Sequence, residues 1–192
     1  MGESGEILLE IRNLAVRFYT YQGAVHAVDI ERFSIQKRES VGLVGETGCG
    51  KTVTSLAILG LIPITGRIES GEIIFKGEDL LKKSKNAMRR IVGKQISMIF
   101  QNPVSSLNPV FTIGDQVTHI IRLHQNVGKK EAEEKAIEMF ELVRLPDAKK
   151  TMKSYPHELS GGMCQRAMIA MALSCNPDLL IADEPTTALD VT

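Results

Sequence analysis

Apolar positions change their period along this chain. From Ile7 to Phe18 and from Val25 to Ile35 the sequence is rich in β-formers and partly alternating, with a break at Gln22-Gly23, which predicts two antiparallel strands. Ser40-Val41-Gly42-Leu43-Val44 predicts an apolar strand, and Val53 to Leu61 predicts a helix. Ser70 to Gly77 reads as a short strand bounded by glycines. Asp79 to Val92, polar and basic, reads as one or two short surface helices, and Lys94 to Phe100 as a buried strand closed by Gln101. From Thr112 the period becomes helical. Ile113, Val117, Ile120 and Ile121 share one face, as do Ala132, Ala136, Met139 and Val143, and Glu131 with Lys135 forms an i,i+4 pair. Pro146 and Pro156 punctuate a connection before a helix from about Gly162 to Ser174 and a strand, Leu179-Leu180-Ile181-Ala182. The pattern is that of an α/β core interrupted by helices.

Chemistry enters between the third predicted strand and the first helix. Gly45-Glu46-Thr47-Gly48-Cys49-Gly50-Lys51-Thr52 fits the phosphate-binding pattern G-x-x-x-x-G-K-[ST]. A strand feeding a glycine loop that opens a helix, here at Val53, aims backbone N–H groups and the positive helix end at one point. Glycines at 45, 48 and 50 permit close backbone approach and dihedrals that side chains forbid. Lys51 would reach the β- and γ-phosphates, and the Thr52 hydroxyl would ligate Mg²⁺. Cys49 serves as a small loop residue whose backbone matters more than its sulfur. The pattern predicts binding of a nucleoside triphosphate.

Composition narrows the rest. With 192 residues and 43% hydrophobic content, the chain has enough apolar material for one sizeable domain. Lys+Arg and Asp+Glu both number 23, so the balance argues against broad electrostatic binding to nucleic acid. Cys49, Cys164 and Cys175 form no C-x-x-C pair and read as reduced cytosolic thiols. The four histidines show no shared ligand spacing, so no metal site is expected beyond nucleotide-bound Mg²⁺. Met1 to Glu6 is polar and Ile7 to Ile11 is too short for a secretory h-region. The longest apolar run, Leu56 to Ile64, is broken by Gly60 and Pro63, so any membrane role is expected to come through a partner.

A second motif answers the phosphate loop. Leu179 to Ala182 runs into Asp183-Glu184, and in phosphate-loop enzymes the strand-end aspartate holds Mg²⁺. Asp183 takes that role here. Glu184 is placed to polarise water toward the γ-phosphate, as general base or as orienter. A third motif, Leu159-Ser160-Gly161-Gly162-Met163-Cys164-Gln165-Arg166, opens a helix that Ser160 can cap, leaving a second anion site.

L-S-G-G followed by Q-R resembles the signature motif of ATP-binding-cassette ATPases, whose members usually carry Gln where this chain has Met163. The resemblance implies a P-loop NTPase (RecA-like) α/β core with an N-terminal antiparallel β layer and an inserted α-helical subdomain. A single domain over 1–192 would divide into a nucleotide-binding core (1–101), a helical insertion ending in the signature helix (102–171), and a return to the core (172–192). Gln101 matches the Q-loop glutamine, which contacts Mg²⁺ and the attacking water and senses a transmembrane partner. Ala188-Leu189-Asp190 matches the D-loop. The adenine-stacking aromatic lies among Phe18, Tyr19 and Tyr21, and Phe18, ending the first strand, is the choice; plain core packing is the alternative.

The resemblance narrows further. Phe100-Gln101-Asn102-Pro103, Ser105 to Pro109, Tyr155-Pro156-His157-Glu158 and Ile181 to Thr192 are similar to the oligopeptide, dipeptide and nickel importer ATPases. It implies ATP and Mg²⁺ as ligands and transmembrane permease subunits as partners. It also implies a second ATPase subunit, identical or related, an extracytoplasmic substrate-binding protein acting indirectly, and a peripheral place on the cytoplasmic membrane face. Ser160, Gly161 and Gly162 of each subunit would face the other's ATP. Family members continue past the D-loop to a switch histidine and a C-terminal extension. The chain is therefore expected to be a fragment with exposed apolar surface, and hydrolysis by it alone is an open expectation. Two other readings stand beside the importer: a cassette ATPase of a soluble process, and a chain that binds nucleotide or a partner without turnover.

Overall fold

The computed structural model describes residues 5–21 and 23–185. They form two compact units, residues 1–88 and 89–192 by chain position.

The first unit is built on an antiparallel sheet of four strands, in the order β2-β1-β3-β4. These are β1 (Ile7–Thr20), β2 (Gly23–Gln36), β3 (Gly66–Phe75) and β4 (Glu78–Asp79). The central strand β1 explains its own imperfect alternation. Leu9 and Ile11 are buried at odd positions, Leu14 and Val16 at even ones. Asn13 stands between the two pairs at φ 47°, and the β1–β3 register shifts between Arg12 and Ala15. A bulge of one residue thus keeps both pairs facing the core. Gly71, at φ 107°, lies against it; a Cβ there would sit 2.6 Å from the Asn13 carbonyl oxygen and from the Leu14 Cα. Helix α1 (Lys51–Leu59) follows the phosphate-binding pattern and packs beside β2, burying Ala57, Ile58 and Leu59.

The strand expected at Ser40–Val44 is not present. Those residues lie in no ladder, are exposed, and leave Val44 99% accessible. An apolar run becomes a strand only where a neighbour takes its N–H and C=O groups, and among the described residues none does.

The second unit holds β5 (Ile96–Ile99) and β6 (Leu179–Ala182), paired in parallel, and helices α2 (Lys85–Ile91) in part, α3 (Pro103–Ser106), α4 (Ile113–Gln125), α5 (Lys129–Leu142), α6 (Ala148–Thr151) and α7 (Gly161–Leu173). Most of each expected stripe is core, with Ile120, Met139 and Val143 only partly buried. Ile113, Val117 and Ile121 of α4 meet Ala132, Ala136 and Phe140 of α5 and Cys164, Ala167 and Ala170 of α7. The Glu131–Lys135 ion pair forms at 3.0 Å. Side-chain caps start the helices: Thr112 accepts from the Asp115 N–H, and Ser160 from the Met163 N–H. On its other face α7 carries Met168 and Ala172 against Ile99 of β5. The strand β5 is buried throughout, as expected, whereas β6 leaves Leu180 and Ala182 exposed.

Candidate functional site

In the first unit, the phosphate-binding pattern forms a turn that runs straight into α1. Gly50, at φ 95°, is its N-cap residue; a Cβ there would stand 2.3 Å from the Ala27 carbonyl oxygen. Only glycine fits both the dihedral and the gap. Helix α1 has no side-chain cap and no acidic residue in its first turn, so its positive end is left to an outside anion. Lys51 folds back over the loop: its ammonium donates to the carbonyl oxygens of Gly45 at 2.7 Å and Glu46 at 2.9 Å. Cys49 Sγ stands 3.6 Å from the same nitrogen. Glu46, Thr47, Gly48 and Thr52 are exposed, and Val53 is half-buried. The loop thus offers a cation, a helix start and an open backbone cradle, a donor set that suits a phosphate chain.

Phe18, the chosen adenine-stacking residue, is half-buried near the end of β1. Its ring packs where a Cβ on Gly66 would fall, 2.9 Å away. Tyr19 is instead engaged, its hydroxyl donating to Glu69 at 2.8 Å and its ring lying under Arg67.

In the second unit, the parallel pairing brings two chain segments to one end of the β5–β6 ribbon. Gln101 follows β5, and Asp183 and Glu184 follow β6. The backbone N–H of Asp183 donates to Ile99 O at 2.9 Å, extending the ladder by one bond. Asp183 is buried, and the next residue turns sharply, with Glu184 at φ 47°. That turn presents the exposed Glu184 carboxylate to Gln101, whose Nε2 donates to Oε2 at 2.5 Å. The carboxyl ends of parallel strands are where open α/β sheets place their ligands. Carboxylate and amide oxygens such as those of Asp183 and Gln101 are hard donors of the kind Mg²⁺ takes together with substrate phosphates.

The signature segment is equally open. Ser160 and Gly161 are exposed and Gly162 half-buried at the start of α7. Cys164 behind them is buried, its thiol directed to the Pro156 carbonyl at 3.4 Å, and burial pushes its pKa up. His157 stacks on Tyr155 with ring centroids 5.6 Å apart, a structural contact. Asp190 and the rest of the D-loop lie outside the described residues.

Sequence reasoning assigned no role to Gln165. It is 1% exposed, and its Nε2 donates to Pro185 O at 2.8 Å. The motif contained it, but only the fold shows what it touches.

The profile of the ABC transporter family matches residues 28–187. The chain belongs to the ABC transporter family. It is 51% identical over 188 residues to a probable peptide ABC transporter ATP-binding protein, y4tR, of Sinorhizobium fredii, covering 97% of this chain and 56% of that protein. It is 52% identical to the oligopeptide transport ATP-binding protein AppD of Bacillus subtilis, covering 96% of this chain and 57% of that one. With the Escherichia coli oligopeptide transport ATP-binding protein OppD it shares 48% identity over 99% of this chain and 56% of that protein. The chain spans a little over half the length of these curated relatives.

A solved structure with the same fold is a dimeric post-hydrolysis state of the ATP-binding cassette MJ0796 bound to ADP and Pi. It matches with a TM-score of 0.86 at 24% identity, over 96% of this chain and 77% of that one. The fold is thus the α/β P-loop NTPase type expected from the phosphate loop, and membership of the ABC transporter family implies nucleotide binding. Among the described residues no helix is long and apolar enough to cross a membrane.

Proposed function

We propose that this chain binds and hydrolyses ATP to energise import of peptides through a membrane-embedded ABC transporter. One observation carries the chemical part: the Gln101–Glu184 contact at the carboxyl end of a parallel strand pair, with Asp183 beside it. The substrate class rests on the relatives, whose names specify peptide, oligopeptide and dipeptide transport.

Each residue has a distinct part in this reading. The backbone from Gly45 to Gly50, the Lys51 ammonium and the start of α1 hold the phosphates, and Phe18 lies against the adenine. Lys51 leaves the Gly45 and Glu46 carbonyls as the phosphates arrive, exchanging neutral acceptors for charged ones. Thr52, Asp183 and Gln101 would hold Mg²⁺, which would supply positive charge against that developing on the phosphate oxygens. Glu184 orients and deprotonates the attacking water, and Gln101 fixes the carboxylate that does so. Ser160, Gly161 and Gly162 offer their open helix start to the nucleotide of a second ATPase subunit, identical or related, and Asp190 belongs to the same contact. ATP holds the pair closed because both subunits touch it, and hydrolysis removes the bridge.

The division into core (1–101), helical insertion (102–171) and return to the core (172–192) is a division of labour in this account. Exposed Val104, Val110 and Phe111, just beyond Gln101, are a surface of the kind a permease subunit would cover. An extracytoplasmic binding protein would deliver the peptide, and the chain would sit peripherally on the cytoplasmic membrane face. Equal numbers of acidic and basic residues favour no nucleic-acid partner.

The test is uptake of a labelled peptide by the producing cells. Lys51→Ala in the chromosomal copy is expected to abolish uptake, and undiminished uptake of every peptide tried would contradict the importer reading.

A further inference from the structure

Glu184 occupies a backbone conformation that its own sequence disfavours twice. A φ of 47° is left-handed, uncommon for a residue with a Cβ, and Pro185 follows, which restricts the preceding residue to extended conformations. Such a turn persists only when surrounding contacts over-determine it. On one side Asp183 N–H is held by Ile99 O at 2.9 Å. On the other, Pro185 brings no N–H, so its carbonyl is the handle left on that residue. Gln165 takes that handle at 2.8 Å.

Gln165 is an expensive way to do so. It is 1% exposed, and among the described residues its Oε1 has no hydrogen-bond partner. The carbonyl acceptor fixes which way the amide faces, nitrogen toward Pro185 and oxygen inward. An unpaired buried acceptor lowers stability, so an apolar side chain of the same size would suit the fold better. Gln165 also lies about one and a half turns beyond Ser160, on a helix that packs against β5, the strand leading to Gln101. One buried amide therefore joins the helix carrying Ser160 to the turn carrying Glu184.

We propose that Gln165 is a positioning residue for hydrolysis: it holds the Pro185 carbonyl so that the strained turn aims the Glu184 carboxylate at its water. This rests on the reading of Glu184 given above. Gln165 touches neither nucleotide nor water and acts through Glu184.

The experiment compares Gln165→Met with the natively produced, assembled protein. Expected are a fall in kcat of about 10- to 100-fold, the size of a positioning loss, and a KM for ATP within about 2-fold of wild type. The thermal midpoint should be unchanged or raised. In a Glu184→Gln background, single-turnover hydrolysis should show no further loss, because both changes remove the same function. Gln165→Asn, too short by one methylene to reach Pro185, carries the same test should the Met variant fail to fold. Unchanged kcat in the variant that folds would overturn the proposal, and so would losses that multiply in the double variant. Wild-type turnover in Glu184→Gln alone would overturn the underlying reading of Glu184, a result distinguishable from either.

Discussion

Gln101 Nε2 donates to Glu184 Oε2 at 2.5 Å across 83 positions of sequence, because β5 and β6 run parallel and end side by side. An amide donor limits the orientations a carboxylate can take, which suits the proposed role of facing one water. Gln101→Ala is expected to lower kcat by about 10-fold or more, the scale of a lost orienting contact, while ATP binding changes little. Steady-state kinetics with a parallel nucleotide-binding measurement checks this.

Gly50 is constrained by both its φ of 95° and the Ala27 carbonyl, 2.3 Å from where a Cβ would stand. Gly50→Ala is expected to cost about 1–3 kcal/mol from the dihedral alone, with the clash added. Because the strain falls on the phosphate loop, ATP affinity should drop together with the thermal midpoint. Gly48→Ala shares the positive φ, 88°, but meets no atom within 4 Å, so its loss should be the smaller. Calorimetric titration and thermal melts of the two variants separate dihedral strain from clash.

Thiol labelling reports on the same loop. Cys49 is exposed and Cys164 buried, with the Cys164 thiol pKa raised by burial. A maleimide at neutral pH is expected to modify Cys49 and spare Cys164 in the folded protein. ATP should slow the modification of Cys49, since Sγ lies 3.6 Å from the Lys51 ammonium proposed to receive the phosphates. Mass spectrometry of labelled peptides gives the answer, and labelling of Cys49 at one rate with and without ATP would place the nucleotide elsewhere.

Acid sensitivity of the β-sheet unit has an identifiable source. Glu10 is buried on β1, and the Arg12 hydrogen bond at 2.6 Å, aided by Arg32, holds its pKa below the usual carboxylate range. A carboxyl with a depressed folded-state pKa contributes stability above its unfolded pKa and loses it as pH falls through the folded value. Glu10→Gln should therefore be less stable than wild type at neutral pH. The gap should close progressively below the ordinary value of 4.5, as wild-type Glu10 itself takes a proton. Thermal melts from neutral to about pH 3 measure it; a gap independent of pH would rule out the charged pairings as its cause.

How much of this was legible in the chain follows from the range of each interaction. The stripe Ile113, Val117, Ile121 and the Ser160 cap are local, set within a few turns of one helix, and they form as the periodicity predicts. The phosphate loop is likewise a run of neighbours. The run Ser40 to Val44 looks like a strand in any short window, yet pairing is decided by residues far away in sequence, and no described partner meets it. The Gln165–Pro185 bond joins a helix to a turn 20 residues on. No spacing rule announces it, since a buried glutamine in a helix has the same pattern as any core residue. The Asn13 bulge lies between these cases. The shift from Leu9 and Ile11 to Leu14 and Val16 is visible as a broken alternation, while the matching Gly71 requires the sheet.

The central claim is that the loop at Lys51 and the turn at Glu184 belong to one hydrolytic function. Its most direct test is steady-state MgATP hydrolysis by the natively produced protein beside Lys51→Ala and Glu184→Gln. The account predicts that Lys51→Ala loses both binding and turnover, and that Glu184→Gln binds ATP normally while kcat falls by about 100-fold or more, as for a lost general base. Wild-type turnover in Glu184→Gln would contradict it.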